Sequence, residues 1–193
     1  MSYISGVLIA AGAGTRMGSL KPLLPWNGML LVEYQISNLL AAGLTEIIVV
    51  LGHRHEELEP HVRGHQVRYV VNHQYADGKT TSIKVGVREI NDHCDGVMLL
   101  AVDQPRTAEI TSKVLESHVS TNAVITSPKY QGHGGHPLVF SRTLFGELLD
   151  ITEESEGIRE VLRAHKHEIN EVEFDDPMIA LDINSPEDYQ NAK

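Results

Sequence analysis

Glycines and cations follow an apolar run near the start of the sequence. The run GVLIAA, residues 6–11, leads into AAGAGTRMGSLKP over residues 10–22. Glycines let a backbone turn tightly and present N–H groups to phosphate, a guanidinium can fork around phosphate oxygens, and an ammonium acts as a point charge. The segment is therefore expected to bind phosphate groups through Gly12, Gly14, Gly18, Arg16 and Lys21.

Two common phosphate-binding loops do not fit this segment. A dinucleotide fingerprint needs Gly-x-Gly-x-x-Gly, but Gly18 comes one residue late, and Gly52-His53 after the second long apolar run offers no acidic ribose anchor. A P-loop ends in Gly-Lys-Ser/Thr, whereas Ser19 follows Gly18 and the lysine comes only at position 21. These mismatches disfavour a Rossmann dehydrogenase and a P-loop NTPase.

Two carboxylates follow apolar runs elsewhere in the chain. Asp103 follows GVMLLAV at 96–102, and Asp182 follows a shorter run before the helix start at Ser185. Mg²⁺ is usually bound by one or two carboxylates together with phosphate oxygens. Asp103 is therefore a candidate magnesium ligand, with capping of the next helix as its structural alternative.

The segment NHQYADGKTTSI, residues 72–83, joins a third apolar run to a helical pattern. Free N–H groups and hydroxyls at such a helix start can contact a nucleotide. By itself the segment is equally typical of helix capping.

The apolar runs alternate with helical patterns, which predicts the elements that position these residues. Strands are expected at 6–11, 46–51, 67–71, 96–102 and 122–127, and helices at 31–42, 80–90 and 108–119. Parallel strands need long crossovers, so the alternation predicts a three-layer α/β/α fold with a mainly parallel sheet and ligands at the carboxyl ends of its strands. Beyond residue 128 we expect a Gly-rich segment, helices at 141–151 and 155–167, and a last strand near 179–183.

Composition narrows the class of protein. The 193 residues predict a single domain over 1–193, and a net charge of -10 disfavours nucleic acid as a partner. Cys94 is the only cysteine, and no apolar run approaches the roughly 18 residues of a membrane span. We therefore expect a cytoplasmic protein that is not embedded in a membrane.

The segment LIAAGAGTRMGSLKPL, residues 8–23, resembles the signature of the MobA-like NTP transferases. The resemblance implies the Rossmann-like, GT-A-like fold of nucleotide-diphospho-sugar transferases. It also implies that the loop holds an NTP triphosphate, with Mg²⁺ bound by Asp103 and by Asp182 of ALDINSPED, residues 180–188. The nucleotide-binding residues it implies are Ala10, Ala11, Gly12, Gly14, Arg16, Lys21, Asn72, Gly78, Ser82 and Asp103, of which Arg16, Lys21 and Asp103 are catalytic.

The segment GHGGHPLVF, residues 132–140, resembles an Arg-Gly-His-Pro segment of one branch of that family, the molybdenum cofactor cytidylyltransferases. Gly134 stands where that branch has the arginine. The resemblance places Gln104, Gly135, His136 and Pro137 on the acceptor side. A zinc site at His133 and His136 is disfavoured because no further ligands of the right type lie nearby.

The resemblance extends from residue 6 to residue 188 and implies transfer of CMP from CTP to the phosphate of molybdopterin. It implies Mg²⁺ as the cofactor and a transient contact with a molybdenum hydroxylase. A guanylyltransferase and a sugar- or alditol-phosphate nucleotidyltransferase of the same fold remain alternatives. A non-catalytic cofactor-binding or delivery protein is the alternative from a different class.

Overall fold

The computed structural model describes residues 2–14 and 17–192. Strands and helices alternate along most of this part of the chain, as the apolar runs predict. The strands are β1 (Ile4–Ala10), β2 (Pro25–Trp26), β3 (Met29–Leu30), β4 (Ile47–Leu51), β5 (Arg68–Val71), β6 (Gly96–Ala101), β7 (Ile125–Tyr130), β8 (His133–Gly134), β9 (Leu138–Ser141) and β10 (Ile169–Glu173). The helices are α1 (Leu31–Ala41), α2 (His55–Arg63), α3 (Lys79–Glu89), α4 (Ala108–Thr121), α5 (Phe145–Asp150), α6 (Ile158–Ala164) and α7 (Pro186–Asn191).

One large mixed sheet, of eight strands within the described residues, has the order β10-β7-β9-β6-β1-β4-β5, and β8 pairs with β7. Strand β1 lies parallel to both β4 and β6, with Leu8 opposite Val49 on one side and Leu100 on the other. Strand β9 is antiparallel to β6 and β7. The strands that follow β1 in the chain are therefore added on both of its sides, β4 and β5 on one side and β6 on the other. Such a topological switch point opens a crevice at the carboxyl ends of the strands.

Helices cover both faces of the sheet, which gives the expected three-layer α/β/α fold. Alternate residues of β1 face opposite layers, because successive side chains of a strand point to opposite faces. Leu8 packs in the layer that contains α1, α2 and α4, whereas Val7 packs in the layer that contains α3, α5 and α6. The central strands are buried on both sides, which explains why they read as continuous apolar runs.

The C-terminal third differs from the predicted elements. The expected strand near 179–183 is wrong: residues Pro177–Ala180 form a 3-10 helix, and the last strand of the sheet is β10, which is mostly polar. The helix expected at 141–151 begins as the end of β9 and a 3-10 turn, Arg142–Leu144, before α5. Helix α2 lies in a segment for which the sequence predicts no element.

The longest α-helix in the described part of the chain is α4, with 14 residues. None of the helices described there has both the length and the apolar character needed to cross a membrane.

Candidate active site

A cavity of about 270 Å³ opens at the carboxyl ends of β1 and β6, beside the start of α3. We call it the loop cavity. This is the crevice that the sheet topology predicts for a ligand. Its lining residues are Ile9, Ala10, Ala11, Gly12, Gly14, Lys21, Pro22, Tyr75, Gly78, Lys79, Ser82, Ala101, Val102, Asp103 and Asn184.

The glycine segment forms one wall of the loop cavity. Gly14 and Gly18 have φ angles of 57° and 65°, a left-handed conformation that glycine adopts without strain. The N–H of Met17 donates to the carbonyl of Gly14 at 2.9 Å. Arg16, the predicted triphosphate ligand, lies outside the described residues.

Lys21 and Asp103 meet in this cavity although 82 positions separate them. The Lys21 Nζ lies 2.8 Å from Oδ2 of Asp103 and 3.2 Å from Oδ1 of Asn184. The two charged side chains are only 14% and 25% exposed, so solvent screens their interaction incompletely. The Lys21 ammonium is thus held against a carboxylate.

The alternative role for Asp103, capping of the following helix, does not fit the structure. Helix α4 begins four residues after the turn that carries Asp103, and its N-cap is Thr107, whose hydroxyl accepts a hydrogen bond from the N–H of Ile110. The backbone carbonyl of Asp103 accepts from the N–H of Ile183 at 2.8 Å. The Asp103 carboxylate is therefore left to face Lys21 and the loop cavity.

A buried amide holds the turn that carries Asp103. Gln35 of α1 is fully buried; its Nε2 donates to the carbonyls of Ala101 and Gln104 at 3.2 and 2.7 Å, and its Oε1 accepts from the N–H of Arg106. A polar side chain without exposure is stabilised only when its groups are paired, as they are here. Within an apolar helical pattern, this glutamine gives no sequence signal for its role.

The predicted nucleotide-binding residues of the segment 72–83 divide into two that line the loop cavity and one that holds the segment in place. Gly78 and Ser82 line the loop cavity. Asn72 is buried, and its Nδ2 donates to the hydroxyls of Thr81 and Ser82, while its Oδ1 accepts from the N–H of Gln74. Asn72 thus ties the end of β5 to the first turn of α3 and positions Ser82.

A larger cavity of about 570 Å³ lies on the other side of Lys79, and we call it the C-terminal cavity. It combines polar groups with several aliphatic side chains. Its lining residues are Lys79, Thr80, Ile83, Gln104, Arg106, Ser127, Gly134, Gly135, His136, Leu138, Glu153, Glu156, Gly157, Ile158, Arg159, Leu162, Ile179, Ala180 and Asp182. Of the predicted acceptor-side residues, it brings Gln104, Gly135 and His136 together.

Arg106 joins the segments around the C-terminal cavity. Its side chain is 1% exposed, and burial lowers its pKa to about 10, which leaves it charged at neutral pH. The guanidinium donates to four backbone carbonyls, at distances of 2.7 to 3.1 Å. These carbonyls belong to Pro105, His136, Ile179 and Leu181.

The turn at His136 packs against the same C-terminal segment. A Cβ on Gly135 would lie 2.3 Å from the carbonyl oxygen of Ile179, so a larger residue would separate the two backbones. The ring of His136 is half-buried, and its Nδ1 lies out of contact with solvent and has no hydrogen-bond partner among the described residues. Burial, with contributions from Lys79 and Arg106, lowers the pKa of His136 to about 3, so the imidazole is neutral.

Asp182 lies beside Asp103, because the backbones of residues 103 and 183 are hydrogen-bonded. Although Asp182 keeps contact with solvent, partial burial of its carboxyl raises its pKa, and the charge of Asp103 raises it further. A hydrogen bond from Gln104 and the charges of Lys79 and Arg106 oppose this rise. Two neighbouring carboxylates that repel each other would both be stabilised by a divalent cation.

This donor set suits a cation shared with a substrate. No three His, Cys, Asp or Glu side chains within residues 2–14 and 17–192 come together as a metal-binding group. Mg²⁺ needs only one or two carboxylates when phosphate oxygens complete its shell, so Asp103 and Asp182 fit it. The residues described therefore fit a magnesium–nucleotide complex better than a permanently bound zinc ion.

Sequence reasoning missed several residues that the structure places at these cavities. Tyr75 and Lys79 line the loop cavity, and Arg106 and Arg159 line the C-terminal cavity. Tyr75 and Lys79 lie within the segment 72–83, which the sequence analysis considers for nucleotide binding. Neither residue is needed to explain that segment as a helix cap, so neither stands out from the sequence. Arg106 follows Asp103 by three residues, and only the tertiary structure reveals that it is buried.

The comparisons with known proteins agree with this geometry. Residues 6–169 match the family model described as the MobA-like NTP transferase domain. The chain is 31% identical to the molybdenum cofactor cytidylyltransferase of Escherichia coli K12, over all of this chain and 97% of that protein. It is also 31% identical to the nicotine blue oxidoreductase of Paenarthrobacter nicotinovorans, over 95% of this chain and 93% of that protein.

A solved structure shares the fold over the whole chain. It is that of a nucleotidyl transferase from Methanothermobacter thermautotroptrophicus, with a TM-score of 0.84, 26% identity, and coverage of 100% of this chain and 96% of that one. The relatives named here carry the names of different activities. The shared fold therefore leaves the substrate to be argued from the site.

Proposed function

Since the chain belongs to the MobA-like NTP transferase family, we propose that it is a magnesium-dependent nucleotidyltransferase that transfers CMP from CTP to the phosphate of molybdopterin and releases pyrophosphate. The observation that carries this proposal is the meeting of Lys21 and Asp103 at the carboxyl edge of the sheet, in a cavity next to a second, larger one. We propose that residues 1–193 act as a single domain.

The triphosphate belongs in the loop cavity. Backbone N–H groups of the glycine segment and the Lys21 ammonium supply positive charge, and we assign Arg16 to the same phosphates. In this protein of net charge -10, the positive charge must be local. Lys21 is bound to Asp103 in the structure, so nucleotide binding must redirect the lysine from the carboxylate to a phosphate.

Asp103 and Asp182 would hold Mg²⁺, which would stabilise the charge on the transferring phosphoryl group when bound. Lys21 now balances the charge of Asp103, and the cation would take over that task once the lysine contacts phosphate. The negative charge of Asp103 would therefore be balanced both without ligand, by Lys21, and in the complex with nucleotide, by Mg²⁺. The exchange also couples binding of the metal to binding of the nucleotide.

The acceptor belongs in the C-terminal cavity. A phosphate monoester has its second pKa near 6, so it is largely ionised at neutral pH and needs no general base. His136 is a poor candidate for a base because its pKa is about 3 and its Nδ1 is inaccessible. The site therefore acts by positioning and by charge stabilisation.

The lining of the C-terminal cavity favours a flat heterocyclic acceptor over a polyol. Aliphatic side chains make up part of its surface: Ile83, Leu138, Ile158, Leu162 and Ile179. The hydroxyl groups of a sugar or alditol phosphate would lose hydrogen bonds to water against these side chains. A pterin ring can pack on them through its faces and reach the polar groups with its edges.

Pyrophosphate release tests the proposal. The purified protein would be assayed with each of four NTPs and with molybdopterin, a sugar phosphate and an alditol phosphate as acceptors. We expect release with CTP and molybdopterin, and preference for CTP in competition with GTP, because polar groups that fit cytosine would be left unpaired against guanine. Preference for GTP would identify the protein as a guanylyltransferase. Use of an alditol phosphate would show that the acceptor is an alditol phosphate and not molybdopterin.

Absence of release with every pair would favour the non-catalytic alternative, in which the fold binds and delivers a cofactor. Retention of both Lys21 and Asp103 argues against that alternative. We further propose a cytoplasmic location and a transient contact with a molybdenum hydroxylase that receives the product. Co-purification of the loaded protein with such an enzyme tests the contact.

A further inference from the structure

Lys79 lines both cavities, and in the described residues no other side chain does so. It is the first residue of α3 and follows Gly78, where the backbone has a φ of 119°. Its side chain is exposed and lies at the border between the two cavities. A group at this border can contact ligands on both sides.

The Lys79 ammonium is available to a ligand. It has no hydrogen bond or ion pair with any residue in 2–14 and 17–192. The nearby Glu153 carboxylate accepts instead from the N–H of Thr80, at 2.7 Å. The charge of Lys79 nevertheless acts on both sides of the border, because it lowers the pKa of His136 and opposes the rise in the pKa of Asp182.

Lys79 is placed where helix electrostatics alone would not favour it. Cations are stabilising near the carboxyl end of a helix and destabilising near its amino end. Among the other cations that line the cavities, Lys21 binds Asp103 and Arg106 binds backbone carbonyls, whereas Arg159 lines the C-terminal cavity alone. Within residues 2–14 and 17–192, Lys79 is therefore the cation that reaches both cavities and can contact two anionic substrates without breaking a protein contact.

We propose that Lys79 is a further catalytic residue, which contacts the α-phosphate of the nucleotide in the loop cavity and the phosphate of the acceptor in the C-terminal cavity. This inference rests on the proposed function. In the transfer, an acceptor phosphate oxygen forms a bond to the α-phosphorus while the bond to the β-phosphate bridging oxygen breaks, and pyrophosphate leaves with that electron pair. No proton is transferred, so repulsion between the anions is what Lys79 reduces.

The test compares Lys79→Met with Lys79→Arg and with Lys166→Met, an exposed lysine that lines neither cavity. We expect kcat/KM for the acceptor to fall about 10- to 100-fold in Lys79→Met, the loss of one charge-assisted contact. Arginine at this position should recover most of the activity, and Lys166→Met should behave as the wild type. The Kd for CTP should change less than kcat/KM, because Lys21 and Arg16 remain.

A binding measurement separates failure of this inference from failure of the proposed function. Inorganic phosphate would be titrated into each protein in the presence of magnesium and a non-hydrolysable CTP analogue. We expect tighter binding to the wild type and to Lys166→Met than to Lys79→Met, with unchanged melting temperatures. Equal phosphate affinity, or equal kcat/KM in an active pair of proteins, would overturn the role of Lys79 and leave the transferase assignment standing. An inactive wild type that still shows the difference in phosphate affinity would overturn only the proposed reaction.

Discussion

The loop cavity and the C-terminal cavity are built in different ways. The loop cavity gathers residues that directly follow parallel strands, so the sheet itself brings Gly12 and Asp103 together. The C-terminal cavity gathers residues from β7, β8, β9, α3, α6, the 3-10 helix at Pro177–Ala180 and several loops, and Arg106 connects some of these segments through backbone carbonyls. One cavity depends on the sheet and the other on a single buried cation. Substitutions should therefore affect the first mainly through chemistry and the second mainly through folding.

The largest effect on stability should come from Arg106→Ala. The change leaves buried carbonyls without a donor, and hydrogen bonds to a charged group contribute about 1.5–3 kcal/mol each. We expect the free energy of unfolding to fall by at least about 3 kcal/mol, measured by urea denaturation. Arg163→Ala is the control, because Arg163 is exposed and pairs only with Glu156, so it should change stability by less than about 1 kcal/mol. Equal, small losses in both variants would refute the difference between the cavities.

The largest effect on chemistry should come from Asp103→Asn. Asparagine keeps the size of the side chain but removes the charge that would hold Mg²⁺. We expect turnover to fall about 10²- to 10³-fold, typical for loss of charge stabilisation at a transferring group, and the magnesium-dependent part of CTP binding to disappear. The melting temperature without ligand should fall only a little, because Asp103 caps no helix and the asparagine Oδ1 can still accept a hydrogen bond from Lys21 after the ion pair is lost. Asp92→Asn, at an exposed turn, serves as control, and a normal rate in Asp103→Asn would remove the proposed role.

Lys21→Ala should have an intermediate effect. Loss of one charge-assisted contact with phosphate corresponds to about 1.5–3 kcal/mol, or one to two orders of magnitude in kcat/KM for CTP. Because Lys21 also balances Asp103, Mg²⁺ without nucleotide should bind the variant more tightly than the wild type. Calorimetric titration with Mg²⁺ checks this, with Lys84→Ala, which lines neither cavity, as control. An unchanged magnesium affinity would contradict the exchange of lysine for cation.

The contrast between the cavities also explains what the sequence could predict. Buried parallel strands read as apolar runs, so β1, β4 and β6 and the ligands at their ends are recognisable from local pattern. Helix α2 is largely polar, and its N-cap, Arg54, has a left-handed conformation and is not one of the usual capping residues, so the sequence gives no start signal. Strand β10 pairs only at the edge of the sheet, so its pattern is weak.

The roles of Gln35 and Arg106 could not be read from the sequence. Each pairs with groups that are distant along the chain: Gln35 with the turn after β6, and Arg106 with the loops at His136 and Ile179. Polar residues of these types are mostly exposed, so exposure is the correct prior from sequence alone. The apolar run at 179–183 also misleads, because burial alone does not distinguish a strand from a turn. Ile179 is buried in a 3-10 turn and does not belong to the sheet.

The smallest effect on stability should come from Asp182→Asn. Asp182 lines the C-terminal cavity and lies beside Asp103 of the loop cavity. The pKa of Asp182 is raised in the folded protein, so the native state binds more protons than the unfolded state between the ordinary pKa and the raised one. The wild type therefore loses a little stability as the pH rises through this window, and it does not regain it at neutral pH. Asparagine does not titrate, so the variant should be slightly more stable than the wild type at pH 7, and this advantage should vanish near pH 4.

In the presence of magnesium and CTP, we expect the wild type to become more stable than Asp182→Asn at pH 7. A metal ligand must be deprotonated, so the complex should raise the melting temperature of the wild type at pH 7 and much less near pH 4. The variant lacks the second carboxylate, and the same additions should stabilise it less at pH 7, although it starts from a higher melting temperature. Thermal denaturation at both pH values, with and without magnesium and CTP, gives the four comparisons. If the variant gained as much from magnesium and CTP as the wild type, Asp182 would lie outside the metal site, and Asp103 would remain as the carboxylate proposed to bind Mg²⁺.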